Sequence, residues 1–418
     1  MKKLAVVVIM TAITTLTGAA MASASSGTLS INENTTLTED HSGNISIDAD
    51  NITLDCAGHT VFGPGVSGFN GGINAYSRTG ITVKRCVVTG FEYNGIWADG
   101  SDSRYEGNLL YGNENHGVHL DLGSGNIVIQ NKSRSNGGIG IVFTRVTDTL
   151  IANNTVQDNG GSGIGLFDES SGNTVIDNTA IRNVEGFLLT GSSDNTLLSN
   201  VAKGNESGFG LRGADNNQFI ANSAYVNGIG ISLENSHYNT LTRNEIKLNS
   251  IGFNVLSQSS HNVFELNAAN RNEFGFGLVN ADNNQFISNS ANNNSIRGFD
   301  LIEVSQSNLF VGNHANANEV GFALFDNSSF NRFIKNTANG NTAEGFALLA
   351  GEGGPSSSNK LTRNIANFNS FGFLVDEGST SNVLIENTGR WNTEVDAANR
   401  GVGENLWIEN NFGTTEGI

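Results

Sequence analysis

Three consecutive stretches between Asn195 and Val255 share one grammar: NTLLSNVAKGNESGFGL, NQFIANSAYVNGIGISL and NTLTRNEIKLNSIGFNV. Each opens on an asparagine (Asn195, Asn217, Asn239). A second follows five residues on (Asn200, Asn222, Asn244), and a third five after that (Asn205, Asn227, Asn249). Each closes on glycine, an apolar residue, any residue and another apolar residue, as in Gly208-Phe209-Gly210-Leu211. The period is about 22 residues, and a fixed period of roughly 20–50 residues marks a chain of stacked, similar units.

Apolar residues alternate in short runs that asparagine or glycine interrupts, which predicts short strands and turns rather than helix. Three strands and three turns per period make a triangular coil. Stacking pairs each strand in parallel with its copy about 4.8 Å away. The expected fold is all-β, a single-stranded parallel β-helix of about fourteen rungs. Two residues after the first asparagine stands a large apolar residue (Leu197, Phe219, Leu241, Phe264), an inward stack. Two after the second stands alanine (Ala180, Ala202, Ala224), which implies a narrow corner. In-register stacking lays each asparagine on its counterpart, so side-chain amides can bond along the axis as ladders. Asparagine also tolerates the left-handed backbone region that turns use. These asparagines are read as structural.

The first 24 residues read as a secretory signal. Lys2 and Lys3 are the positive end, Leu4 to Leu16 the apolar stretch, and Ala22-Ser23-Ala24 a small-residue cleavage site. No later stretch is apolar enough to span a bilayer. The expected mature protein is secreted or periplasmic. Its formal charge is −18, or about −20 without the two lysines, which argues against nucleic acid and anionic membrane surfaces. The two cysteines, Cys56 and Cys86, end runs that look like one strand in successive rungs, and an exported protein permits a disulfide between them.

The chain then divides into a cap at 25–50, a β-helix at 51–387, and a last rung and cap at 388–418, which Trp391, Trp407 and Phe412 could close. From Gly95 the glycine recurs every 22 or 23 residues, apart from late steps of 24 and 27 around the insertion Gly351 to Ser358.

The stretches NITLDCAGHTVFG, GITVKRCVVTGF and NLWIENNFGTT, with the asparagine-rich rungs between them, resemble the right-handed parallel β-helix repeat proteins. Within that group the chain is similar to the carbohydrate-binding and sugar-hydrolase type, pectate-lyase-like, and to periplasmic β-helix proteins associated with nitrous oxide reductase maturation. The resemblance covers about residues 28–415. It implies a right-handed coil and, commonly, work on polysaccharides. Its motifs are structural, and fold alone does not fix chemistry. The Asp-Pro-His-Asp motif of β-helix alginate epimerases, the paired aspartates of polygalacturonase-like enzymes and the calcium-roll nonapeptide are absent. No histidine or cysteine cluster has metal-ligand spacing, so no copper or zinc site is expected.

Elongated ligands on such a coil lie along a strand face, across rungs. The outward positions of the glycine-led strand carry Asn74, Trp97 and His119 in one column, and Tyr76, Asp99 and Asp121 in the next, with Arg145 at the edge. Tyr76 and Trp97 offer flat apolar faces suited to sugar rings, with Asn74 and Arg145 as polar contacts. Rung spacing would hold Asp99 and Asp121 about 5 Å apart, which suits a retaining glycosidase pair; His119 could move protons, or the two carboxylates could hold calcium. Equally, Asp99 could cap a turn and His119 be merely solvated. Further along, the second column turns apolar at Leu256, Val279, Ile302, Phe325 and Leu349. These residues are core if they point inward; if outward, they make a ladder for self-association or for an envelope partner. Asp300, Glu303 and Asp326 beside it are read as solvated.

Three functions follow. The first is an exported β-helix protein that binds a polysaccharide through the face around Trp97 and, as a further step, cleaves or modifies it. The second is a non-enzymatic envelope accessory protein acting through protein contacts. The third is a lyase or epimerase on a uronate polymer, which the acidic charge disfavours.

Overall fold

A computed structural model describes residues 25–63, 71–401 and 404–418. The signal reading and its cleavage site near Ala24, and Pro64 in the glycine-rich loop, lie outside the described residues. All regular elements among the described residues are β-strands; two parallel sheets run the length of the coil, and a third continues through single bridges at Ser290, His314 and Thr337.

The middle rungs show how the repeat becomes structure. Thr196–Leu198 pairs in parallel with Gln218–Ile220, Val201–Lys203 with Ser223–Tyr225, and Ser207–Arg212 with Ile229–Glu234. Each pairing is offset by 22 residues, one period, so every side chain sits on its homologue. We call the sheet of six-residue strands the long sheet and the others the two short sheets. The coil has about sixteen turns, against the fourteen or so expected. Turns also form in the N-terminal segment: Leu29–Ile31 stacks on Ile45–Ile47, which continues onto Ile73–Ala75.

Two phenylalanine columns fill the centre of the later rungs. Phe253, Phe276, Phe299, Phe322, Phe346 and Phe373 stack with centroids 4.6–5.0 Å apart. Phe264, Phe286, Phe310 and Phe333 form the second stack at 4.6–4.8 Å and meet the first edge-on, as at Phe276–Phe286 (5.7 Å, 83°). Offset stacking within columns and edge-to-face contact between them both suit the ring quadrupole. The glycine that leads each long strand is a packing requirement. A Cβ on Gly208 would lie 2.5 Å from the Gly230 carbonyl oxygen and 2.9 Å from the Ala224 methyl group. The alanine column and the glycine column are thus one narrow corner seen from two sides.

The ladder asparagines do not occupy the left-handed region themselves, although Asn153, Asn216, Asn283 and Asn293, each just before a ladder position, do. In each turn the residue before the asparagine does: Ala221 (φ 52°) before Asn222, Val226 (φ 60°) before Asn227, Tyr238 (φ 57°) before Asn239. Tolerance of that region therefore does not explain the asparagines. They are there for the ladders, one of which runs without a break from Asn108 to Asn410.

Both ends depart from simple repetition. Cys56 and Cys86 form a disulfide, both buried, where Thr53–Asp55 pairs with Thr82–Lys84. At the C-terminal end Trp407 and Phe412 pack against the core, whereas Trp391 is 68% exposed and stacks only on Phe368. Trp391 therefore does not close the end. The insertion is a small antiparallel hairpin of Ala350–Gly351 with Gly354–Pro355.

Candidate functional site

The outward columns of the long sheet stand in register: Asn74, Trp97 and His119 align on Ile73–Ala75, Ile96–Ala98 and Val118–Ser124. Trp97 is the centre of an aromatic cluster. Tyr76 meets it edge-on at 5.1 Å, Tyr93 tilts against it at 5.1 Å, and the His119 ring lies parallel to it at 6.2 Å. His116 meets His119 edge-on at 5.5 Å. Burial and the nearby Asp99 carboxylate push the Tyr76 hydroxyl up to about 12, so this ring keeps its proton at any ordinary pH.

Asn74 is buried and is committed to the scaffold. Its side chain accepts from the Gly71 N–H at 2.8 Å and donates to the Gly71 carbonyl at 2.7 Å. Asp99 accepts from the backbone N–H of Ser77, one rung earlier, which is the turn-capping alternative. Asp121 accepts from the Arg145 guanidinium at 2.8 Å. Each carboxylate thus already has a donor. His119 lies 3.3 Å from the Thr144 hydroxyl through Nε2, while its buried Nδ1 has no partner. The buried Nδ2 of Asn94, beside Tyr93, has none either.

Tyr93 and His116 are not on the strand columns that the sequence singles out. They stand in the turn just before the glycine-led strand, where a reading of strand columns does not look. His116 occupies the rung position of Asn94, and both cap backbone. Asn94 accepts from the His116 N–H at 3.2 Å, and His116 Nδ1 accepts from the Ile139 N–H at 2.9 Å. Burial, with His119 adjacent, pushes the His116 imidazole down to about 4. Burial also lowers His119, with Asp121 working against it. Both rings are neutral near pH 7.

The later part of the same face is different. Leu256, Val279, Ile302, Phe325 and Leu349 are half-buried and stand on the outer face, apart from the central core. Asp300, expected to be solvated, is only 7% exposed and pairs with Arg297 at 2.8 Å.

Parallel strands stacked rung on rung, a phenylalanine-filled bore and asparagine ladders at the corners define a right-handed parallel β-helix repeat protein. The model of the right handed beta helix region matches residues 50–202. That of the periplasmic copper-binding protein NosD matches residues 166–272. No curated protein matches the sequence as a relative. Among solved structures the chain is similar to the A-module of mannuronan C-5 epimerase AlgE4 from Azotobacter vinelandii, with 12% identity and a TM-score of 0.44 over 89% of this chain and 88% of that one. It is also similar to an alginate lyase from Paenibacillus sp. str. FPU-7, with 14% identity and a TM-score of 0.40 over 57% and 94%. Pectate lyase Pel9A shows 18% identity and a TM-score of 0.36 over 58% and 65%. At these values the likeness carries no argument about chemistry.

The NosD-matched segment does not fit a copper site. Its histidines are His237 and His261, and it contains no cysteine or methionine. His237 Nδ1 is 2.9 Å from the Ser260 hydroxyl, and the His261 ring stacks on Tyr238. No group of three or more candidate ligands gathers among the described residues.

Proposed function

We propose that this is an exported protein that binds a polysaccharide along the outer face of its long sheet, over the rungs of Tyr76, Trp97 and His119. The observation that carries the reading is the Trp97 cluster: aromatic rings on successive rungs of an outward face. A sugar stacks an apolar ring face on an indole and hydrogen-bonds polar groups at the edge through its hydroxyls. Asp121 and Arg145 flank the cluster as a polar edge.

Catalysis is the finer step. With Asp99 held by Ser77 and Asp121 by Arg145, a glycosidase role requires substrate to displace one of these donors. Calcium between the two carboxylates would require the same, which makes its effect on binding informative. Titration of a polysaccharide panel, with and without calcium, tests the reading. Binding that Trp97→Ala weakens at least tenfold supports it. Binding that the substitution leaves unchanged moves the site elsewhere.

A further inference from the structure

Some eight rungs beyond Trp97, the outer face of the long sheet forms a groove. Its floor is the column Asn254, Gly277 and Asp300, and its walls are Ile251 and Phe274 on one side, Val279 and Ile302 on the other. The hollow over Gly277 has a volume of about 170 Å³, the space of roughly six waters, whereas pockets for free ligands run from about 300 Å³. It is the size of one side chain.

The floor carries an unmet demand. Asp300 is 7% exposed; its Oδ2 accepts from Arg297, but Oδ1 is buried without a partner. Arg297 is itself held under the Phe325 ring, 4.5 Å from its centre. Burial raises the Asp300 carboxyl, with Asp326 adding to the effect and Arg297 opposing it. Two rungs on, burial and the charges of Glu319 and Asp376 raise Glu344, again against Arg297. The face around the groove thus carries more acid than base. An orphaned acceptor on the floor of an apolar hollow calls for a donor carried on an apolar stem. An ammonium supplies both the hydrogen bond and the missing charge.

The apolar wall extends well past the hollow. Leu256, Val279, Ile302, Phe325 and Leu349 cover four rung steps, about 19 Å. The occupant is therefore larger than the group that fills the hollow. We propose that this groove docks a polypeptide partner that inserts a lysine flanked by apolar side chains, with its ammonium on Asp300 and its stem between Phe274 and Val279.

The test is a titration of the signal-free protein with the peptide acetyl-Leu-Lys-Leu-amide. Its glutamine counterpart and n-butylammonium are the comparison probes. The lysine peptide binds one site per chain, and each comparison probe binds at least tenfold more weakly. Asp300→Asn and Gly277→Leu each cut its affinity tenfold or more, and Trp97→Ala does not. A Cβ at Gly277 meets only ordinary contacts, 3.7 Å from Asn254 Oδ1 and 3.8 Å from the Phe253 carbonyl oxygen, so this second variant fills the hollow without crowding the coil. Equal binding of the lysine and glutamine peptides, or indifference to both substitutions, overturns the proposal. So does n-butylammonium matching the peptide, which assigns the hollow to a free amine. A dimer that Gly277→Leu splits overturns it in favour of a second copy of this chain.

Discussion

The Asn200 side chain donates to Asn222 Oδ1 at 3.1 Å, and the same oxygen accepts the Asn200 backbone N–H at 2.9 Å. Asn200 Nδ2 also donates to the Val175 carbonyl at 2.8 Å. One amide thus ties three successive rungs. Asn222 accepts two bonds from the rung before and passes two on to Asn244, so this turn is satisfied where it is buried.

Replacing an interior asparagine should therefore cost far more than a turn residue normally does. Asn222→Ala removes an oxygen that accepts two donors and leaves Asn200 Nδ2 short of one bond. At roughly 1–3 kcal/mol for each buried group left unpaired, the expected loss is about 2–5 kcal/mol. Chemical denaturation of the variant, compared with a substitution at exposed Lys132, measures it. A loss under about 0.5 kcal/mol would mean that water replaces the ladder at no cost.

The Cys56–Cys86 bond closes a loop of 30 residues. Loop entropy gives such a crosslink about 3–4 kcal/mol. Because a solenoid's stability is summed over neighbouring rungs, the loss in Cys56→Ser, Cys86→Ser should fall on the first turns. Limited proteolysis should nick the variant between residues 28 and 90 at protease levels the parent survives, while the later rungs persist. Uniform loss of the whole coil would contradict the local reading.

The histidine corner predicts a pH effect with a definite sign. His116 is held at about 4, below its unfolded value near 6.5, because burial penalises the charged ring. Its contribution is intact above about 6.5 and is lost as pH falls from there toward about 4. His116→Asn keeps an acceptor for the Ile139 N–H, as Asn94 does one rung earlier. The variant should lose the slope of stability between pH 6.5 and 4, read from denaturation midpoints. An unchanged slope would assign the titration to another group.

Asp121 and Arg145 form an ion pair at the rim of the aromatic cluster, both partly in solvent. Such pairs contribute little to folding, typically under about 1 kcal/mol. Arg145→Ala should therefore leave the denaturation midpoint almost unchanged while weakening glycan binding several-fold. Loss of stability without loss of binding would make the pair structural.

The coil was legible because its period is. A spacing of 22 residues lays Leu197 on Phe219 and Asn200 on Asn222 whatever the intervening residues are, and the pairing follows. The same logic aligned Trp97 with His119. It failed where position depends on side-chain reach or on local backbone. Asp300 shares an outward column with Trp97, yet it is 7% exposed and paired with Arg297; the period says nothing of how side chains pack on a column. The left-handed turn position was misplaced by one residue, since asparagine's propensity pointed to Asn222 where the structure uses Ala221. Tyr93 and His116 lay in a turn, outside the strand columns that were read.

The most direct test places a reporter in the site. Of the three tryptophans, Trp391 and Trp407 lie at the C-terminal end, so Trp391→Phe with Trp407→Phe leaves Trp97 as the sole source of tryptophan emission. Titrating this variant with the polysaccharide panel should give a saturable shift or quench of Trp97 emission with at least one glycan, abolished when excess parent protein competes. Binding of that glycan by calorimetry with no change in Trp97 emission, or no binding by any glycan, would contradict the account.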